Sequence, residues 1–389
     1  MASAGRGLPV QVTVLTCAEA AGALWDDAAR PAHLPDDLVA ALMAAGLDAR
    51  LVVLPPPEPA TTCSPYAATA ATGQWVAEHA GSADVVHALD PCAAAAALAA
   101  RTATGVPVVV RWPCLPETDD AAVRRARLAV LHAADAVLCP AEPLARHVRV
   151  AAGERVGVVP DGVDTSAWGP PPSFTEHGQT LVTLSGASAA TGTVLAALRM
   201  LPGARLVVAG RGDAGGLLRQ AERLGVGDQV TVAGWLPRSQ AVGLVDAADV
   251  VVAPRPAPTS GASAVEAMCR ARVVVAADVP VVRDVVVDRC TGLLVPPDDV
   301  VALAGAVQAL LADPFRREAW GVAGAERAAG VYDWSVVLPR LEAVYARVVT
   351  AGPARSPLAT PGEGCSTGQR WSSSSRYRSS PARPTRGAT

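Results

Sequence analysis

The sequence contains no lysine, although it has 389 residues and all 33 of its basic residues are arginine. A Gly-Lys-Ser/Thr phosphate loop and every catalytic use of lysine are therefore excluded. Gly-x-Ser-x-Gly and His-Glu-x-x-His motifs are also missing, so neither a serine hydrolase elbow nor a zinc-protease helix is indicated. We interpret the all-arginine composition as the coding bias of a GC-rich genome.

Several other features are scarce. The eight cysteines form no Cys-x-x-Cys pair, which argues against structural zinc and favours reduced thiols in the cytoplasm. The first residues lack the long apolar core of a signal peptide, and no apolar run reaches the roughly 18 residues of a membrane span. The net charge is -3, and no long basic run precedes the C-terminal tail, so nucleic acid is not the expected partner.

Aromatic residues make up only 4% of the chain, whereas hydrophobic residues, mostly alanine and valine, make up 51%. Valine-rich runs suit strands of a parallel sheet that are buried on both faces, and alanine-rich runs suit the helices that cover them. The length is large for one core. We therefore predict an α/β protein with two domains.

The central unit runs from Ala248 to Asp278. A valine-rich strand over 250–253 enters a loop broken by proline and glycine, a helix begins between Ser260 and Ser263, and a second strand follows over 273–276. The unpaired amides of such a helix start, at Ser260, Gly261 and Ala262, favour an anion such as a phosphate. Glu266, in the first two turns, can reach a hydroxyl of the same ligand.

These residues resemble the nucleotide-binding core of retaining glycosyltransferases of the GT-B fold, especially glycosyltransferase family 4. The pattern of that family is Glu-Gly-Phe-Gly, four residues, then Glu-Ala-Met-Ala; Gly261 and Glu266-Ala267-Met268 match it. Further similar motifs follow in the same order as in the family, at 84–90, 160–164 and 292–299. The resemblance covers roughly residues 9 to 349.

The resemblance implies two Rossmann-like, doubly wound parallel-sheet domains that face each other across a cleft. It also implies transfer of a sugar from a nucleotide diphosphate sugar, with retention of the anomeric configuration and without a metal or cofactor. The sequence does not name the acceptor, which can be a lipid, a glycan or a small molecule. Peripheral membrane association is compatible with this activity.

The implied domain boundaries follow the motifs. An N-terminal acceptor domain is expected over residues 1–168, a proline-rich linker over 169–178, a donor domain over 179–334, and a helix that returns to the first domain over 335–350. The remaining 351–389 has six arginines against one glutamate and few apolar residues, which is typical of a disordered tail. A polyanion-binding arm is the alternative interpretation of this tail.

The sequence departs from the family at charged positions. Ala187 and Thr191 stand where the family has an arginine and a lysine for the diphosphate, and Pro258 replaces the first glutamate of the motif. In the first domain, Pro113-Cys114 replaces a His-Gly pair. Losing one such donor costs on the order of 3 kcal/mol of transition-state stabilisation.

The resemblance implies a set of donor-site residues. Glu266 corresponds to the ribose-binding glutamate, the glycines after the first strand of the second domain let the nucleotide approach, and a Gly-Trp turn meets the base. An arginine after the next strand, or one in the central loop, is the candidate replacement for the lost charge. These donor-site candidates are Gly186, Gly192, Arg211, Gly234, Trp235, Arg255, Ser260, Gly261, Ala262 and Glu266.

Three residues of the first domain are catalytic candidates: His87 and Asp90 in a family-like Asp-Val-Val-His-Ala-x-Asp run, and Arg111 at the end of the next strand. The alternatives are structural, because a lone histidine at a strand end often has a structural role and Arg111 can be a plain arginine at the rim of the cleft. No metal ligands are predicted.

Two other functions remain open. The chain can be a homologue that binds a nucleotide or a protein partner without efficient transfer, because the charges for the diphosphate are replaced. It can also be another GT-B enzyme such as a nucleotide-sugar epimerase, although the acid and base residues that an epimerase needs are not found.

Overall fold

The computed structural model describes residues 10–17, 34–54, 70–80, 82–113, 121–172, 178–188, 190–254 and 261–353. Within these residues the chain forms two six-stranded parallel sheets with helices on both faces, which confirms the prediction of two Rossmann-like domains. The predicted disordered tail, 351–389, lies outside the described residues from 354 onward, and its first residue, Ala351, is instead the last residue of a helix.

The first sheet has the strand order β2-β1-β3-β4-β5-β6, and the second has the order β12-β11-β10-β7-β8-β9. In each sheet, strands are added first on one side of the first strand and then on its other side. Doubly wound sheets form a ligand-binding crevice at this switch point, at the carboxyl ends of the strands. The strands are β1 Gln11–Cys17, β2 Asp48–Leu54, β3 Val85–Ala88, β4 Val108–Arg111, β5 Ala136–Cys139, β6 Val156–Val158, β7 Thr180–Thr183, β8 Arg205–Ala209, β9 Val230–Gly234, β10 Val250–Ala253, β11 Val274–Ala277 and β12 Gly292–Val295.

The valine-rich strands are buried on both faces, as their composition predicts. In β10, Val250 and Val252 pack into the core on one side of the second sheet, and Val251 packs into the core on the other side. This alternation follows from the two-residue period of a strand. Because helices cover both faces of each sheet, the ends of the strands are where a ligand site can form.

The helix that the sequence predicts to begin between Ser260 and Ser263 begins at Ala262. Helix α13 begins at Pro314, where Asp313 caps the helix and proline occupies its first turn. The helices are α1 Leu34–Ala44, α2 Ala70–Ala80, α3 Pro91–Thr104, α4 Ala121–Ala133, α5 Glu142–Ala152, α6 Thr165–Trp168, α7 Thr191–Leu198, α8 Ala214–Arg223, α9 Arg238–Asp246, α10 Ala262–Cys269, α11 Pro280–Val285, α12 Val300–Leu311, α13 Pro314–Arg327 and α14 Trp334–Ala351.

Helix α14 packs on the first sheet, together with α1. Its buried residues, including Val337, Leu341 and Tyr345, share one core with Val14 of β1 and Leu38 of α1. The segment before α14 is also fixed, since the Thr165 hydroxyl donates a hydrogen bond to Asp333. The end of the chain therefore contributes to the core of the domain in which the chain begins.

Arg270, just after α10, fixes the segment that leads from the first domain to the second. Its guanidinium donates two hydrogen bonds to the Asp246 carboxylate, at 2.7 and 2.8 Å. It also donates to the carbonyl oxygens of Trp168, Gly169 and Pro170, at 2.5, 2.9 and 2.7 Å. One buried arginine thus connects α9, α10 and the linker.

Four cysteines of the described part are free thiols: Cys92, Cys139 and Cys269 are buried, and Cys290 is exposed. Burial raises the pKa of the Cys139 and Cys269 thiols to about 12. Among the described helices, none combines the length and the apolar character needed to cross a membrane.

Candidate functional site

A cleft at the carboxyl ends of the second sheet is lined by residues from both halves of the chain. The first half contributes helix α1, the start of α5 and the turn after β6, and the second half contributes the starts of α9 and α10 together with α11. The lining residues are Leu34, Asp37, Pro140, Ala141, Asp161, Gly162, Val163, Trp168, Arg238, Ala262, Val265, Glu266, Val281, Asp284, Val285 and Tyr332.

The start of α10 opens into this cleft. Gly261 has φ +72°, and a Cβ there would lie 2.6 Å from the Cγ2 atom of Val285, so both the backbone angle and the packing require glycine. No side chain caps the helix, and the amides of Ala262 and Ser263 have no backbone acceptor among the described residues. The arrangement is suited to an anion, as the sequence predicts for Gly261 and Ala262.

Glu266 lies in the second turn of α10 and lines the same cleft. Removal of its carboxylate from water raises the pKa from 4.5 to about 7, with nearby Arg238 opposing the shift and Asp37 adding to it. Because folding raises this pKa, the folded state holds the proton more tightly than the unfolded state. Ionisation of Glu266 therefore destabilises the fold progressively between about pH 4.5 and pH 7.

An ion pair crosses the cleft. Arg238, the first residue of α9, places its Nη2 atom 2.5 Å from each carboxylate oxygen of Asp37, on α1 of the first domain. The Nε atom of Arg238 is buried and has no hydrogen-bond partner in the described part of the chain. The pair brings a positive charge next to Glu266.

The loop after β7 is held by the loop after β8. The amides of Gly186 and Ala187 donate to the carbonyl oxygens of Ala209 and Arg211, both at 2.9 Å, and the Thr191 hydroxyl donates to the Gly186 carbonyl at 2.6 Å. These amides are therefore occupied within the protein. The other glycine of the loop, Gly192, lies against Gln220, whose Nε2 atom would be 2.9 Å from an added Cβ.

We expect Gly186→Ala to destabilise the protein by about 1–3 kcal/mol, the usual cost of overpacking. Gly186 has φ +68°, and an added Cβ would lie 2.0 Å from the Arg211 carbonyl oxygen. The matched control is Gly305→Ala in α12, where nothing lies within 4 Å of an added Cβ. The control should stabilise the protein by about 0.5–1 kcal/mol. Urea unfolding measures both, and equal effects would contradict the packing role of Gly186.

Arg211, Gly234 and Trp235 form one ledge at the ends of β8 and β9. The guanidinium carbon of Arg211 lies 5.7 Å from the centroid of the Trp235 ring, in cation–π geometry, and Trp235 is 47% exposed. Gly234 has φ +70°, which favours glycine at this turn. The three predicted residues therefore lie together, but none of them belongs to the residues that line the cleft.

Arg111 forms a buried ion pair with Asp161, in the turn after β6. Its Nε and Nη2 atoms each lie 2.5 Å from a carboxylate oxygen of Asp161, and the two side chains are 6% and 10% exposed. Asp161 lines the cleft, whereas Arg111 stands behind it. The structure thus gives Arg111 a partner within the protein.

His87 is 3% exposed and shares a 2.7 Å hydrogen bond between its Nδ1 atom and the hydroxyl of Tyr345, on α14. Burial, helped by the charge of Arg111, lowers its pKa from 6.5 to about 3, so it is neutral. Asp90 caps α3 through the Ala93 amide at 2.8 Å. Neither residue belongs to the residues that line the cleft, and a catalytic role for them stays a prediction.

Arg255 and Ser260, the remaining predicted donor-site residues, lie outside the described residues. Sequence analysis missed Arg238, Asp37 and Asp284. Asp37 and Arg238 are 201 positions apart and carry no motif, so only the fold brings them together. The one local signal was an arginine at a helix start directly after the Gly-Trp-Leu-Pro turn.

Two family models match the chain. Residues 3–167 match "Glycosyltransferase Family 4", and residues 192–327 match "Glycosyl transferases group 1". The first match spans the sheet of the first domain, and the second contains the cleft-lining starts of α9 and α10.

Curated relatives include two named phosphatidyl-myo-inositol mannosyltransferase. The protein from Mycolicibacterium smegmatis is 30% identical over 292 residues, which are 72% of this chain and 74% of the relative. That from Mycobacterium leprae is 39% identical over 149 residues, which are 38% of this chain and only 39% of the relative. A D-inositol 3-phosphate glycosyltransferase of Segniliparus rotundus is 30% identical over 224 residues, 53% of this chain and 49% of the relative.

Solved structures agree on the fold. Sucrose-phosphate synthase from Thermosynechococcus elongatus superposes with a TM-score of 0.72 at 20% identity, over 87% of this chain and all of that one. Anabaena HepE in complex with UDP superposes with a TM-score of 0.66 at 17% identity, over 87% of this chain and all of that one. From the family matches, the relative that is similar over most of both chains and this fold, we conclude that the chain belongs to glycosyltransferase family 4, with the GT-B fold.

Proposed function

We propose that the protein transfers a sugar from a nucleotide diphosphate sugar bound in the cleft. The observation that carries the proposal is the uncapped start of α10 at Gly261, with Glu266 one turn further along the same wall of the cleft. Helix amides and the helix dipole stabilise the diphosphate, and the Glu266 carboxylate accepts hydrogen bonds from the ribose hydroxyls. The complex of HepE with UDP supports this class of donor.

We further propose retention of the anomeric configuration and no metal, as the resemblance implies. A leaving diphosphate without a metal needs fixed dipoles and cations, and the start of α10 together with the arginine that faces it can supply both. Two relatives are named after phosphatidyl-myo-inositol and D-inositol 3-phosphate, so the acceptors to test first are phosphatidylinositol and inositol phosphates.

Titration of the full chain with UDP and with GDP in a calorimeter tests the donor site. We expect micromolar binding of one nucleotide, and we expect Glu266→Ala to weaken it. A matched control is Glu326→Ala, since Glu326 lies on α13 and does not line the cleft. Absence of binding by both nucleotides would sink the proposal for these donors.

The binding-only alternative keeps one supporting observation. Ala187 and Thr191 supply no charge after β7, and the Arg211 side chain lies over Trp235. Such a site would still bind a nucleotide through α10 and Glu266 but would lack part of the charge for transfer. Binding without turnover over a panel of donors and acceptors would favour this alternative.

Binding of the nucleoside of the preferred nucleotide should tighten by about three- to fourfold between pH 6 and pH 8, because an ionised acceptor forms a hydrogen bond about 1 kcal/mol stronger than a neutral one. The pKa of Glu266 is about 7 in the free protein. Ribose binding favours the carboxylate, so affinity rises through this pH and then levels off. Glu266→Gln should bind with no such pH dependence, and an unchanged pH profile in that variant would contradict the assignment.

A further inference from the structure

The cleft is acidic for a site that takes an anionic donor. Its described lining contains the carboxyl groups of Asp37, Asp161, Glu266 and Asp284, but only one cationic side chain, that of Arg238. Asp161 is neutralised by Arg111 behind it. A diphosphate that reaches the start of α10 therefore meets one cation of the described wall, and that cation already faces a carboxylate.

Among the described residues, the contact between Arg238 and Asp37 involves a single nitrogen of the guanidinium. A single nitrogen, Nη2, faces both carboxylate oxygens, whereas an arginine and a carboxylate usually pair through two parallel bonds. The Nε atom is buried without a partner among the described residues. A buried donor without an acceptor is unfavourable, so the pairing with Asp37 does not satisfy the Nε atom of this arginine.

The diphosphate is a better partner for these donors than Asp37. Its oxygens carry more charge than one carboxylate and can accept from several guanidinium nitrogens at once. Arg238 lines the same cleft as Ala262, the first residue of α10, so the helix amides and the guanidinium can face one anion. The loop after β7 offers no cation at Ala187 or Thr191 to compete for that place.

We propose that Arg238 exchanges the Asp37 carboxylate for the diphosphate of the donor, so that donor binding breaks an ion pair between the two domains. Arg238 then supplies charge that the replaced arginine and lysine would provide, and Asp37 acts as a competitor that holds it while the cleft is empty. This inference rests on the proposed function. It differs from a fixed cation because removing Asp37 tightens diphosphate binding only while Arg238 is present.

The test compares UDP, GDP, their nucleosides and inorganic pyrophosphate as ligands in calorimetric titrations of the full chain. Arg238→Gln should weaken diphosphate binding by about tenfold or more, the size expected for a hydrogen bond to a charged group, and should weaken nucleoside binding much less. Arg238→Lys should weaken diphosphate binding less than Arg238→Gln does. Asp37→Asn should tighten diphosphate binding severalfold, and this gain should vanish when Arg238→Gln is also present.

Arg219→Gln is the matched control for loss of an exposed positive charge, because Arg219 is 67% exposed on α8 and does not line the cleft. Thermal unfolding of each variant confirms that it is folded, and Arg238→Lys serves if Arg238→Gln is not. Equal diphosphate affinity in the native protein and Arg238→Gln, or unchanged or weaker affinity in Asp37→Asn, would overturn the inference while leaving the proposed function intact.

Pyrophosphate binding distinguishes failure of the proposed donor class from failure of the proposed role of Arg238. If the native protein binds neither nucleotide but binds pyrophosphate in a way that Arg238→Gln abolishes, the proposed donor class fails and the role of Arg238 stands. If it binds neither the nucleotides nor pyrophosphate, both proposals fail.

Discussion

Arg270→Ala should lower the free energy of unfolding by about 3–5 kcal/mol, the range found when one partner of a buried ion pair is removed. The Arg270 side chain is 7% exposed, and its guanidinium forms an ion pair with Asp246 and donates hydrogen bonds to the carbonyl oxygens of Trp168, Gly169 and Pro170. Its loss leaves a carboxylate and three carbonyl groups without their donor. Urea unfolding monitored by circular dichroism measures the change.

Arg270→Lys separates charge from geometry. Lysine keeps the positive charge but lacks the planar fork that reaches a carboxylate and the linker together, so we expect it to recover less than half of the loss. The control is Arg289→Ala, since Arg289 is 82% exposed and lies 3.7 Å from Asp288. An exposed pair contributes about 0–1 kcal/mol. A loss below about 1 kcal/mol in Arg270→Ala would show that the linker does not depend on this arginine.

Asp161→Ala and Arg111→Ala should each cost about 3–5 kcal/mol, because each leaves an opposite charge buried and unpaired. The two side chains are bound through two parallel contacts of 2.5 Å. The double variant should be clearly less destabilised than the sum of the two single variants, with a coupling energy of at least about 1.5 kcal/mol. Unfolding free energies of the four proteins complete the cycle.

The same variants address function. If Arg111 serves only to hold Asp161 and the turn after β6, replacing both residues by leucine should restore much of the stability while leaving nucleotide binding at α10 unchanged. Additive single costs, with no coupling, would show that the pair is not a unit. Loss of nucleotide binding in a well-folded double variant would instead indicate that Arg111 contributes to the nucleotide site.

The fold was predictable from sequence because its signals are local and repeated. Valine runs bounded by glycine and proline mark the strands, and β10 over 250–253 has the bounds that the sequence predicts. The short helix α11 carries no such signal, since its six residues begin with proline and include three valines.

The site was predictable only where one segment carries it. Gly261 precedes α10 and Glu266 lies in its second turn, and Glu266 lines the cleft together with Ala262. His87 shows the limit of such reasoning: its position at a strand end suggested the cleft, but Tyr345, 258 positions away, covers it. Asp37 and Arg238 show the reverse, because neither has a motif and only the approach of α1 to α9 reveals them.

Release of UDP or GDP from nucleotide sugars, in the presence of phosphatidylinositol or an inositol phosphate, tests most directly whether this cleft performs glycosyl transfer. We expect one donor to be consumed well above the rate without protein, with a glycosylated product, and we expect Glu266→Ala to slow this by at least about tenfold. Nucleotide binding that depends on Glu266, with no donor consumed under any of these conditions, would contradict transfer and leave a nucleotide-binding protein.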